Sequence, residues 1–347
     1  MKTTITLALI LLMTFEGISQ TFITQAKPYG EKEWGYINQK GETVIAPMHK
    51  KCFQFSEDGL AAIYEAKQYY FINTKGEKIT TEINGFGLIA ILGLGVQGYY
   101  NGMVAVRIFG KWGFMNTEGK ITIKFKYDKV TYFDNGYANA KIGDDFLVIN
   151  KQGKELKIDV PGILDVKHFS EGLAPFKNSE KMYGFINVDG KAIIPAKFMS
   201  VGYFSGGLAW AKTMNKKVGY INKKGEWVIQ PQFVAVKDFD PVSGLARVTI
   251  DDKVGYVNIS AKIIYMDDCE VCYDFSEGLA KGKKGDKVGY FDTTGKWVIA
   301  PEFEGGRNFK NGFVAVKKGE KWGFMNKSGK WVVEPIYGSV KDMELVK

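Results

Sequence analysis

The residues able to do chemistry are few, and each falls in a familiar spacing. Gly93-x-Gly95-x-x-Gly98 follows the apolar run Leu88-Ile89-Ala90-Ile91-Leu92, which spells a dinucleotide-binding turn. Cys269-Glu-Val-Cys272 has the spacing of a redox pair. His49, His168 and the acidic pairs Asp251-Asp252 and Asp267-Asp268 complete the set. Each lacks something its chemistry needs. A dinucleotide site requires a strand, the glycines, then a helix whose N-terminus holds the pyrophosphate. Here Tyr99-Tyr100-Asn101-Gly102-Met103-Val104-Ala105-Val106 follows, which reads as a turn and a strand. The cysteine pair lacks a following helix to depress a thiol pKa, because Tyr273 to Gly278 reads as a turn. Three cysteines and two histidines do not make a four-ligand zinc site. Adjacent loop acids read as solvated, with a weak Ca²⁺ site as the one metal chemistry they would support. No P-loop lysine pattern or serine nucleophile motif occurs. The expectation is a protein with no catalytic residues, no cofactor and no metal ion, and not an enzyme.

The elements around these residues are strands and turns. The chain has 347 residues, 45% of them apolar and 14% aromatic, with 41 glycines, a composition that suits all-β structure with many turns. The formal charge of +9 is spread along the chain in turns such as Asn222-Lys223-Lys224-Gly225. No dense basic block points to nucleic acid. At the N-terminus, Met1-Lys2 precedes the apolar run Ile5 to Phe15, with Gly17 and Ser19 at −3 and −1 of a cleavage before Gln20. Residues 1–19 therefore read as an export signal and 20–347 as a single mature domain. No cysteine follows the apolar run to carry a lipid anchor, and no later segment is long enough for a transmembrane helix. The expected location is the periplasm or the exterior of a bacterium.

One unit recurs along the whole chain. Lys111 to Lys120 reads KWGFMNTEGK and Lys321 to Lys330 reads KWGFMNKSGK. Variants begin at Trp34, Tyr69, Phe146, Tyr183, Val218, Val254 and Val288, which makes nine units. Their turn residues stand at 38, 73, 116, 150, 187, 222, 258, 292 and 326, in steps of 35, 43, 34, 37, 35, 36, 34 and 34. Gly219-Tyr220-Ile221-Asn222 reads as a strand, Asn-x-x-Gly as a turn, and Glu226 to Ile229 as the return strand. Pro231 ends the ladder, with Pro47, Pro195, Pro301 and Pro335 as counterparts. A second turn, Phe-x-x-Gly-x-Ala, recurs at Phe133, Phe169, Phe204, Phe275 and, as Phe-x-x-Gly-Phe-Val, at Phe309, with the Phe as a core plug. The repeat is defined by Trp34-Gly35, Trp112-Gly113, Gly184, Gly219, Gly255, Gly289 and Trp322-Gly323. Those glycines are expected where a Cβ would strike the neighbouring unit.

This pattern resembles the bacterial WG-repeat (KWG-like) family from about Phe22 to Val340. The resemblance implies a β-rich repeat protein and carries over no catalytic residue. Two units depart from it, at Tyr69-Tyr70 and Phe146-Leu147, where the glycine is missing; less regular packing is expected there. The fold expected is an all-β tandem β-hairpin array. An open twisted solenoid suits nine units better than a closed β-propeller, whose usual range is about 4–8 blades.

The glycine-rich stretch falls in the one long step, as an insertion at about 84–98. Its apolar residues Phe86, Leu88, Ile91 and Leu92 form a candidate partner-contact loop, with packing onto the array as the alternative. The expected function is a monomeric, non-enzymatic binding or scaffold protein of the cell envelope with a protein partner. Polysaccharide binding by tryptophan, tyrosine and lysine rows is the alternative.

Overall fold

A computed structural model describes residues 20–91 and 95–347, and every regular element among them is a β-strand. The nine turn residues read from the sequence close nine hairpins in one way. At Asn38 the Gly41 amide donates to the Asn38 carbonyl, while the Asn38 Oδ1 accepts from the amides of Lys40 and Glu42 at 2.9 and 3.0 Å. The same side-chain acceptor closes the turns at Asn222, Asp292 and Asn326. An Asn or Asp at this place gives the backbone a local partner, which is why it recurs.

Each regular unit is a four-stranded antiparallel meander. One example runs Ile163–Val166 (inner), Leu173–Asn178 (second), Tyr183–Asn187 (third) and Ala192–Phe198 (outer). In six units the repeat glycine sits on the third strand opposite a bulge in the outer one, while Gly255 faces an outer strand without a register shift. Trp34 pairs with His49 and Tyr36 with Ile45, so residues 46–48 all face Gly35. A Cβ on Gly35 would lie 2.5 Å from the Ile45 carbonyl oxygen and 2.7 Å from the Pro47 nitrogen. Gly113, Gly184, Gly219, Gly289 and Gly323 meet the same backbone at 2.3–2.6 Å. The obstacle is thus the unit's own outer strand, not the neighbouring unit that the sequence suggested. The bulge also explains the prolines, because a residue folded over the glycine needs no ladder N–H. Pro195 is offset by one residue: Ala196 takes the place that Pro231 fills elsewhere. Where the glycine is missing the bulge goes too. Leu147 to Ile149 pair with Lys157 to Glu155 without a register shift, and Ile72 makes a single bridge to Lys78.

The core lies between sheets. The aromatic residue after the repeat glycine meets the Phe plug of the next unit edge to face. Tyr36–Phe55, Phe114–Phe133, Phe185–Phe204, Tyr220–Phe239 and Tyr256–Phe275 all stand 4.7–4.9 Å apart at 62–71°.

The first and the last described strands share a sheet. Thr21–Pro28 pairs with Trp34–Asn38 on one side and with Trp331–Val340 on the other, through Ala26↔Val340 and Lys27↔Ser339. This register matches Val130↔Ala140 inside the array, and Lys341 N donates to Gln25 O as Thr131 N does to Asn139 O. Met343 takes the plug position, buried with Phe324, and Glu344–Val346 pairs with Thr21–Ile23. The Phe-x-x-Gly turn missing from the first unit is replaced by the C-terminal segment.

Gly219→Ala should lower the unfolding free energy by about 1–3 kcal/mol, since its Cβ meets fixed backbone rather than a movable side chain. Urea denaturation measures this, and an unchanged midpoint would mean the bulge can retreat.

Candidate functional site

The positions just before the plugs, at the inner ends of the sheets, bring neighbouring units closest. Three successive units place Tyr132, His168 and Tyr203 there. Their rings, with Tyr100, form a continuous stack with centroids 4.7, 4.7 and 4.0 Å apart. Burial, with Lys167 adding to it, pushes His168 down to about 4. The same position in the next units holds Asp238, Asp274, Asn308 and Asp342, with cations from neighbouring strands around it. Arg247 Nε donates to Asp274 Oδ1 at 2.6 Å and its Nη1 to Cys272 O at 3.1 Å. Arg307 pairs with Asp342, and Lys310 with Glu344 at 2.7 Å. Lys281 Nζ reaches Gly306 O, and burial lowers its pKa. One side of this inner row is therefore aromatic and the other a run of internally paired charges.

The hydroxyl of a repeat tyrosine fastens four of the junctions. Tyr36, Tyr220, Tyr256 and Tyr290 donate to the carbonyls of Phe53, Lys237, Tyr273 and Arg307, each 17 residues on. Burial raises the pKa of all four.

At the Phe-x-x-Gly turns, carboxylates cross between units. Asp58 accepts from the Gly102 amide at 2.9 Å and Glu171 from Gly207 at 3.1 Å. Asp240 accepts from Glu277 and Gly278, and Glu277 from Asn311 and Gly312. Two of these carboxylates also take a lysine: Lys223 lies 3.1 Å from Glu171 and Lys327 3.2 Å from Glu277. Nothing in the sequence marked these acids, because only the repeat alignment of acid, amide pair and lysine in space gives them a common role.

The residues singled out by sequence are placed as follows. Phe86 and Leu88 are core: they are 3% and 8% exposed, and Phe86 stacks on Phe71 at 5.8 Å. They fill the space under the inner strand Gly87–Leu88, so they do not face a partner. Ile91 ends the short strand Ala90–Ile91, which pairs with Gly95–Val96; its side chain and Leu92 lie outside the described residues. The described residues on either side of 92–94 are thus two short antiparallel strands, lying between the inner strand Gly87–Leu88 and the plug Tyr99. His49 occupies the outer-strand place of Phe198, Phe233 and Phe303, is buried, and has its pKa lowered by that burial. Cys269 and Cys272 are joined, and Cys52 is buried beside Gln25. Asp268 pairs with Lys284 and accepts from Trp297 Nε1, while Asp251-Asp252 form a hairpin tip. All seven tryptophans are half-buried. Trp34 lies under Lys27 and Lys341, and Trp227 and Trp331 pack edge-on against Phe198 and Phe303 of the preceding unit.

The WG containing repeat profile matches residues 34–69, 112–144, 183–217, 219–253, 289–322 and 322–344, more than half of the chain. The chain belongs to that family. As a WG-repeat protein it is also similar in fold to a solved structure titled as a eukaryotic initiation factor, at 14% identity and a TM-score of 0.58, covering 95% of this chain and 98% of that one. Weaker likenesses are to the dihydro-heme d1 dehydrogenase NirN (10% identity, 94% and 75% covered, TM-score 0.46) and to BamB from Moraxella catarrhalis (10%, 80% and 91%, 0.39). No curated protein matches this WG-repeat chain.

The His168 stack sets a pH dependence. Its folded pKa of about 4 lies below the ordinary 6.5, so the unfolded chain takes up the proton first. Its contribution is complete above about pH 6.5 and declines as pH falls toward about 4. His168→Phe keeps the stack and should lose less stability than the parent between pH 7 and 4.5. Equal losses in thermal melts would remove His168 from the account.

Proposed function

We propose that this WG-repeat protein is a non-enzymatic binding scaffold. In this reading it is exported by residues 1–19, acts in a bacterial cell envelope as a monomer, and presents its turns to a protein partner. One observation carries the reading. The constant residues of the unit are consumed internally: the glycine under the bulge, the Asn in its turn, the Phe in the core. What varies between units faces solvent, as with Lys223-Lys224 in one turn and Gln152 in another. A surface free to vary over a fixed frame suits recognition of a partner by repeat proteins. The tryptophans favour protein over polysaccharide, since cations and neighbouring rings cover them instead of leaving flat exposed platforms for sugars.

The chain from Gln20, immobilised and exposed to an envelope extract, should retain a protein. Retention of polysaccharide with quenching of tryptophan fluorescence would favour the glycan reading instead.

We also infer that the joined ends make the array a closed ring of nine units, the first completed by the C-terminal strand. A chain ending at Tyr337 loses the buried Val340, Met343 and Val346. Its melting midpoint should fall by about 10 °C. A midpoint within error of the parent would indicate an open array.

A further inference from the structure

Four junctions of this protein place a carboxylate from one Phe-x-x-Gly turn on the amides of the next. The receiving turn has the same shape each time. Its two central residues are left-handed, as in Glu277 and Gly278 (φ 55 and 89°) and Asn311 and Gly312 (φ 54 and 82°). Two successive amides in such a turn point into one concavity and bind an anion. In two cases the lysine after the turn Asn of the receiving unit, Lys223 or Lys327, completes the site.

Asn135 and Gly136 form the same turn, with φ of 45 and 87°. Neither amide has an acceptor among the described residues. Lys151 follows the turn residue Asn150 of that unit, the place held by Lys223 and Lys327, and it pairs with no carboxylate among the described residues. The preceding unit explains the difference. Where Glu171 and Glu277 stand in their turns, it carries Asn101, an uncharged and shorter residue in the same left-handed conformation, φ 53° against 50 and 55°. The receiving half of the junction is intact and the donating acid is absent from the chain.

We propose that Asn135, Gly136 and Lys151 form a binding site for a carboxylate side chain supplied by an acidic segment of a protein partner. The site rests on the reading of the chain as a binding scaffold and names where, and by what chemistry, a partner would dock. The amides fix the carboxylate as Gly312 fixes Glu277, and the lysine supplies charge. The aromatic pair Tyr100–Tyr132 at the same junction, 4.7 Å apart, holds the two units together beside it.

The test uses the whole mature chain and two labelled peptides, pentaglutamate and pentaglutamine, in fluorescence anisotropy. Pentaglutamate should bind and pentaglutamine should not. Asn101→Glu supplies the missing acid from within, so it should weaken pentaglutamate binding at least fivefold and raise the melting midpoint. Lys151→Gln should weaken binding to a similar degree. Lys223→Gln, whose lysine is already engaged by Glu171, should leave it unchanged. The site is overturned if N101E binds pentaglutamate as the parent does, or if K223Q weakens binding as much as K151Q. The first would show the peptide lands elsewhere, and the second that it senses only the overall charge. Capture from the envelope extract is scored separately. A retained protein with no pentaglutamate binding overturns this site and leaves the scaffold reading standing.

Discussion

The structure depends on one contact, the edge-to-face meeting of the ring after each repeat glycine with the plug of the following unit. A single meander of four short strands has two faces and too little apolar area to hold itself together. The ring-on-plug contact gives each sheet a fixed partner, and the tyrosine hydroxyl adds direction. Tyr220 both packs on Phe239 and donates to Lys237 O, so rotation of one sheet against the next would break packing and a buried hydrogen bond together. At the last unit Phe324 packs with Met343, the same contact with a thioether in place of a ring.

The glycine and proline answer a separate constraint, since Phe71 meets Tyr99 at 4.9 Å and 66° in a unit that has no repeat glycine. Where the outer strand bulges over the position before the third-strand ring, only glycine leaves room beneath the bulge. Proline in the bulge follows, since its missing N–H has no ladder partner to disappoint. The units at Tyr69-Tyr70 and Phe146-Leu147 show the dependence in reverse: no glycine, no bulge, and a shortened outer strand.

Function and frame are separated by the same logic. Side chains fixed by the frame are internal, and those at the junction turns are free to differ. At four junctions a carboxylate of one Phe-x-x-Gly turn takes the amides of the next; the turns at Asn101 and Asn135 hold an asparagine where Glu171 and Glu277 stand. A repeat fold makes such a difference readable, because each unit is a control for the others.

The sequence by itself determined the all-β class, the hairpins and the nine turn residues. These are local matters: an Asn-x-x-Gly turn closes through hydrogen bonds within five residues. Tertiary structure decided what the glycine avoids, where Phe86 and Leu88 point, and that the C-terminal strand completes the first sheet. Each depends on backbone brought together from distant sequence: Val340 against Ala26, Phe86 against Phe71, Ile229 O against Gly219. An apolar residue in an insertion reads the same whether it faces solvent or core, and only the packing of the surrounding sheets distinguishes them. The carboxylate junctions were equally hidden, since an acid, an amide pair and a lysine some tens of residues apart become one site only when neighbouring units stack.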